Sequence, residues 1–108
     1  MSSSALDRFR LDGRVAIITG AGKGIGAAIA RALADAGADC VLTARTAADI
    51  ESVAEEVRAR GRRALPIAGD VNDLEELARL VERTMDEFGR LDIVINNAGG
   101  SRSKPILR

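Results

Sequence analysis

The chain has 108 residues, 46% hydrophobic and 30% charged, enough for one modest domain of an ordinary globular protein and not for two. Sixteen basic and sixteen acidic residues cancel, so neither a nucleic-acid partner nor a membrane surface is expected. A single cysteine excludes an intramolecular disulfide, and no apolar run is long enough for a signal peptide or a membrane span, so a cytoplasmic location is expected.

Residues 1–10 read as a frayed lead-in, polar from Met1 to Asp7, with Phe9 and Leu11 expected to tuck under a sheet. Asp12-Gly13 turns into a first strand, Val15-Ala16-Ile17-Ile18-Thr19. This run has no polar alternation, as suits a strand buried on both faces of a parallel sheet. Gly20-Ala21-Gly22-Lys23-Gly24-Ile25-Gly26 follows, seven residues with four glycines. Ile25, Ala28, Ile29, Ala32, Leu33 and Ala36 then recur at helical spacing, and Gly37 stands just past the helix end as a C-cap.

Strand, glycine turn and helix in that order read either as an ordinary tight βα turn or as a phosphate site, and the register of the three favours the second. A sharp strand-to-helix turn needs backbone angles that only glycine adopts cheaply, and a Cβ would block close approach of a phosphate. The helix N-terminus offers it unpaired N–H groups and the positive end of a dipole. The loop is not that of a nucleotide triphosphatase. Lys23 is followed by Gly24 rather than Ser or Thr, and Ile17 stands where that motif's first glycine belongs.

Cys40-Val41-Leu42-Thr43-Ala44 makes a second strand, with Cys40 a small core residue. Thr46 is the expected N-cap of a helix that buries Ile50, Val53, Ala54 and Val57 and ends at Gly61. Its charged residues Glu51, Glu55, Glu56, Arg58 and Arg60 read as a solvated face, and the Arg62-Arg63 pair as surface charge at the turn. Ala64-Leu65-Pro66-Ile67-Ala68 is a third strand, placed at a sheet edge because Pro66 cannot donate to a ladder. Asn72 is the expected cap of a longer helix with Leu74, Leu77, Ala78, Val81, Met85 and Phe88 on its inner face. Gly89 stops it, and Leu91-Asp92-Ile93-Val94-Ile95-Asn96 is the fourth strand.

Alternating strands and helices imply an α/β fold, a doubly wound parallel sheet of order 3-2-1-4 with helices on both faces. The order reverses between strands one and four and opens a crevice at their carboxyl ends, where a ligand would lie. The residues after the strands are the unusual ones: the glycine loop, then Arg45, then Asp70-Val71, then Asn97-Ala98-Gly99-Gly100. Singly, each reads as easily as a polar turn. Four such groups at one end of one sheet read together as a nucleotide site.

Thr19-Gly20-x-x-x-Gly24-Ile25-Gly26 resembles the cofactor loop of the short-chain dehydrogenase/reductase family, Asp70-Val71 its adenine-binding pair, and Asn96-Asn97-Ala98-Gly99 its NNAG element. The resemblance runs from Leu11 to about Gly100 with the three motifs in order. It implies a Rossmann-type fold and an oxidoreductase that interconverts a small-molecule carbonyl and alcohol by hydride transfer with a nicotinamide dinucleotide. Gly20, Gly24, Ile25 and Gly26 are then expected at the pyrophosphate, Asp70 and Val71 at the adenine, and Asn97, Ala98 and Gly99 at the ribose.

The family's serine, Tyr-x-x-x-Lys pair and helix asparagine all follow the NNAG element, and the chain contains no tyrosine and no histidine. No catalytic residue and no metal ligand is assigned. Ile93-Val94-Ile95 would be an exposed apolar edge, so the chain is expected to be the N-terminal part of one dinucleotide-binding domain, truncated after strand four. Alone it should be inactive and prone to associate; the complete protein is expected to be a homo-oligomer. The rival reading is a non-catalytic nucleotide-binding or interaction protein.

Enzymes that use the unphosphorylated cofactor place Asp or Glu at the end of strand two. Here that position is Ala44, with Arg45 beside it; Asp39 precedes the strand and Asp49 lies within the next helix. Lys23 and Arg45 both stand near helix N-termini, where a cation is disfavoured unless an anion joins it. An NADP(H) preference follows, with both cations on the 2′-phosphate. That pairing resembles the NADPH-using carbonyl reductases of the family.

Overall fold

The computed structural model describes residues 10–70 and 73–97, and the backbone of residues 104–107. Strand β1 (Val15–Thr19) is followed by helix α1 (Gly24–Asp35), β2 (Asp39–Ala44), α2 (Ala47–Ala59), β3 (Ala64–Ala68), α3 (Leu74–Phe88), β4 (Ile93–Asn96) and β5 (Lys104–Leu107). The sheet order is β3-β2-β1-β4-β5. The first four strands pair in parallel, with Ile17 opposite Val41 on one side and Val94 on the other. β3 is an edge strand, as Pro66 requires.

The buried residues of the two central strands alternate between two cores, following the period of a pleated strand. Ala16, Ile18, Cys40 and Leu42 face α1 and α2, against Ala27, Ala30, Ala34, Ile50, Val53, Ala54 and Val57. Val15, Ile17 and Val41 face α3 and meet Leu80, with Leu77, Val81 and Phe88 packed around them. This two-sided cover is the doubly wound arrangement, and it explains why the strand sequences are continuously apolar. Burial pushes the Cys40 thiol up to about 12, so this cysteine is an inert core residue.

Several local expectations are corrected. The apolar spacing on α1 marks only part of its packed face: Ile29 and Leu33 lie half-buried against the core. Gly26, Ala27, Ala30 and Ala34 are buried, whereas Ile25, Ala28 and Ala32 are exposed. The smallest side chains let the helix axis approach the sheet, and Cys40 Sγ lies 3.8 Å from the Ala30 carbonyl oxygen. On α3, Leu80 and Thr84 are the buried pair, while Leu74, Ala78 and Met85 face out. Asp73 holds the α3 N-cap position and accepts from the Glu75 N–H at 2.9 Å, a role expected of Asn72, which lies outside the described residues. Thr46 does hold the N-cap position of α2, but its hydroxyl makes no cap bond.

Arg63 is not a free surface charge. Its Nη2 sits 2.9 Å from Asp39 Oδ2, its N–H donates to Asp39 Oδ1 at 2.8 Å, and its guanidinium lies 4.5 Å from the Phe88 ring centroid. Asp39, only 6% exposed, thereby ties the starts of β2 and β3 together. The fourth strand is shorter than expected, because Asp92 hydrogen-bonds Val15 through both its N–H and its carboxylate and precedes the ladder. The exposed edge expected on that strand is also corrected: β5 pairs with it antiparallel, Ile95 opposite Pro105 and Asn96 opposite Lys104. With Pro105 inside it, a four-residue strand carries little sequence signal and is confined to an edge. Among the described residues, no helix is long and apolar enough to cross a membrane.

Candidate functional site

The glycine turn leaves the end of β1 and is built by close backbone contacts. Gly20 and Gly24 take φ of +59° and +54°, the left-handed region that side chains rarely adopt. Ala21 is fully buried and its N–H donates to the Thr43 carbonyl at 3.1 Å, pinning the turn to the end of β2. A Cβ on Gly26 would collide with the Gly20 carbonyl oxygen and come within 2.7 Å of Asn97 Nδ2. A Cβ on Gly22 would lie 2.7 Å from Asp49 Cβ, so the turn also abuts the first turn of α2.

The N-terminus of α1 opens onto this turn. Lys23 is its N-cap residue, no side chain caps it, and its first turn holds no acidic residue. The first helical N–H groups are therefore available to an anion. Ile25, in that same turn, is 68% exposed, an unusual position for a large apolar side chain. A backbone that crowds out side chains beside uncapped N–H groups fits a pyrophosphate.

Thr19 joins the two strands at which the sheet order reverses. Its hydroxyl lies 3.0 Å from Asn96 Oδ1 and accepts from the Asn97 N–H at 2.7 Å, although residues 19 and 97 are 78 apart in sequence. Asn97 Nδ2 in turn donates to the Gly20 carbonyl at 3.4 Å. Asn97 thus braces the glycine turn from the β4 side. In the sequence Thr19 opens the glycine-loop motif, but its link to Asn96 and Asn97 is visible only in the fold; the signal was a hydroxyl residue ending an otherwise apolar strand. Ala98, Gly99 and Val71 lie outside the described residues.

Asp70 follows β3 on the rim of a cavity of about 230 Å³, lined also by Thr43, Ile67, Ala68, Gly69 and Leu80. Its N–H donates to Glu76 Oε2 at 2.8 Å, so the first turn of α3 holds this loop in place. Glu76 was not singled out from the sequence.

The cations are corrected most sharply. Lys23 and Arg45 do not stand without anions. Lys23 Nζ is 3.7 Å from Asp49 Oδ2, and Arg45 Nη2 is 3.7 Å from Asp70 Oδ1. Asp49, set aside in the sequence as lying within a helix, is brought to the glycine turn because only two residues separate β2 from that helix. Both cations remain largely exposed, at 83% and 75% of their side chains, so both pairs are solvated and exchangeable. Gly20, Lys23, Gly24, Ile25, Gly26, Arg45, Asp70 and Asn97 all lie at the carboxyl-terminal ends of the strands, as expected.

The family model described as short chain dehydrogenase matches residues 14–108. An uncharacterised oxidoreductase of Mycobacterium tuberculosis is 50% identical over 102 residues, which are 94% of this chain and 39% of that protein. A metagenomic short-chain oxidoreductase crystallised with NADP superposes with a TM-score of 0.78 at 43% identity, covering 82% of this chain and 40% of the other. Carveol dehydrogenase from Mycobacterium avium, crystallised with NAD, gives 0.80 at 34% identity, covering 83% of this chain and 37% of the other. The chain therefore spans well under half the length of the proteins it matches.

Proposed function

The chain belongs to the short chain dehydrogenase family, and on that premise we propose that the protein is an NADP(H)-dependent oxidoreductase interconverting a carbonyl and an alcohol. The observation that carries the reading is the glycine turn, where a Cβ on Gly26 has no room and the N-terminus of α1 is left uncapped. When bound, the nicotinamide supplies or accepts the hydride. This stretch of chain holds the dinucleotide and sets its orientation.

Gly20, Gly24, Ile25 and Gly26 take the pyrophosphate, where backbone N–H groups supply donors without a reorganisation cost. Asp70 and Val71 bound the adenine, with the Asp70 carboxylate as acceptor for an exocyclic amine. Asn97, Ala98 and Gly99 border the ribose. Asn97 also braces the glycine turn, its Nδ2 donating to the Gly20 carbonyl at 3.4 Å. The 2′-phosphate falls to Arg45 and Lys23, an arginine fork and a lysine point charge. Support for NADP(H) comes from the basic residue directly after β2, where an acidic residue would select the unphosphorylated ribose. A relative crystallised with NADP points the same way, although another holds NAD.

Titration of the full-length protein with NADPH and NADH, followed by cofactor fluorescence, tests the reading. Wild type is expected to bind NADPH at least about tenfold more tightly, the scale of one charge-assisted hydrogen bond. Arg45→Asp combined with Lys23→Ala reverses the order. Equal or tighter NADH binding by wild type defeats the proposal.

A further inference from the structure

We propose that Asp49 is a specificity-setting residue of the cofactor site, an internal counterion that competes with the 2′-phosphate for Lys23. The inference rests on the 2′-phosphate reading given above and adds to it a residue that acts through another.

Three observations bring Asp49 to the site. Its Oδ2 is 3.7 Å from Lys23 Nζ. Its Cβ occupies the space beside Gly22 that a side chain there would need, so the contact is built into the packing of the turn against α2. Its own side chain is 34% exposed, at the mouth of the glycine turn rather than on the far side of the helix. Asp49 stands in the first turn of α2, which holds its carboxylate at that helix N-terminus and makes it a favourable, persistent neighbour there.

A carboxylate so placed acts in two directions. Without cofactor, it partners a lysine that would otherwise be an isolated cation at a helix N-terminus. With cofactor, a phosphate approaching Lys23 must displace Asp49 or share the ammonium with it, and the like charges repel. NAD(H), which carries no 2′-phosphate, does not meet this competition. Asp49 therefore lowers the preference for the phosphorylated cofactor that Lys23 and Arg45 create. The second pair, Arg45 with Asp70, does not repeat the device, because Asp70 is itself the expected adenine ligand.

The test is a mutant cycle read by binding. Dissociation constants for NADP+ and NAD+ are measured calorimetrically for the full-length wild type, Asp49→Asn, Lys23→Gln and the double variant. Asn keeps the shape beside Gly22 and removes only the charge. Asp49→Asn is expected to tighten NADP+ about two- to fivefold, the range of an exposed ion pair, and to leave NAD+ unchanged. In the Lys23→Gln background the same substitution should have a smaller selective effect, because only the direct repulsion between carboxylate and phosphate is left to relieve. Equal shifts for both cofactors, no shift at all, or a selective shift undiminished without Lys23 would overturn the role of Asp49. The parent reading is judged separately, by which cofactor the wild type binds more tightly.

Discussion

Asp92 commits both carboxylate oxygens where the chain enters β4. Arg90 Nε and Nη2 donate to it at 2.7 and 2.8 Å, and the Val15 N–H donates at 2.9 Å. The Arg90 hydrogen bond, helped by the Val15 N–H and the nearby Arg14 charge, holds the Asp92 carboxyl down at about 2 against an ordinary 3.8. A folded-state value below the unfolded one means that the stabilisation is fully present above the unfolded value. It is lost as pH falls from 3.8 toward 2. The wild type should thus be more stable than Asp92→Asn at neutral pH, with the difference shrinking across that acidic window. Thermal melts of both proteins at a series of pH values check this; a difference that does not change below pH 4 would contradict the sign. The site lies at the other end of the same strand, so cofactor binding by the variant should be retained.

At the scale of elements, α1 shows what an apolar period does and does not report. Apolar residues run almost all round this helix, so the spacing of Ile25, Ala28, Ile29, Ala32 and Leu33 identifies a helix without choosing its buried face. Close approach to the sheet decides that choice, and it selects glycine and alanine. Ala30 is 0% exposed, while Ala32 is open to solvent. Ala30→Leu is therefore expected to cost about 1–3 kcal/mol through overpacking, and Ala32→Leu to stay within about 0.5 kcal/mol. Chemical denaturation of the two variants measures the difference; equal costs would mean that the helix is rotated from the described position. The same argument explains α3, where Leu80 and Thr84 were legible only once the helix lay across Val15, Ile17 and Val41.

Across the whole molecule, the reversal of strand order places β1 against β4 and lets residues distant in sequence build one end of the sheet. Thr19 is the link, 2% exposed, with its hydroxyl shared between Asn96 and the Asn97 N–H. Thr19→Val keeps the shape and removes the hydroxyl from these part-buried hydrogen bonds, at a cost of about 0.5–1.5 kcal/mol. Because Asn97 also braces Gly20, dinucleotide affinity should fall as well. Thr19→Ser, which keeps the hydroxyl, should restore both. Denaturation and cofactor titration on the same three proteins test the coupling, and a Val variant that loses stability without losing affinity would separate the two effects.

The sequence by itself determined the seven elements from β1 to β4, their alternation and the order of the four parallel strands, because these follow from local rules. Unbroken apolar runs, glycine turns, Pro66 at an edge and right-handed crossovers each constrain the chain within a few residues. It also brought the candidate residues to one end of the sheet, since a reversal in strand order places the ends of β1 and β4 together whatever the side chains. Only the tertiary structure decided which charge meets which: Lys23 with Asp49, Arg45 with Asp70, Asp39 with Arg63. It also decided that β5 covers the edge of β4. The physical reason is range. Periodicity averages polarity along one element, whereas an ion pair between two loops depends on register and on strands held about 4.8 Å apart, and neither distance is written in either loop alone.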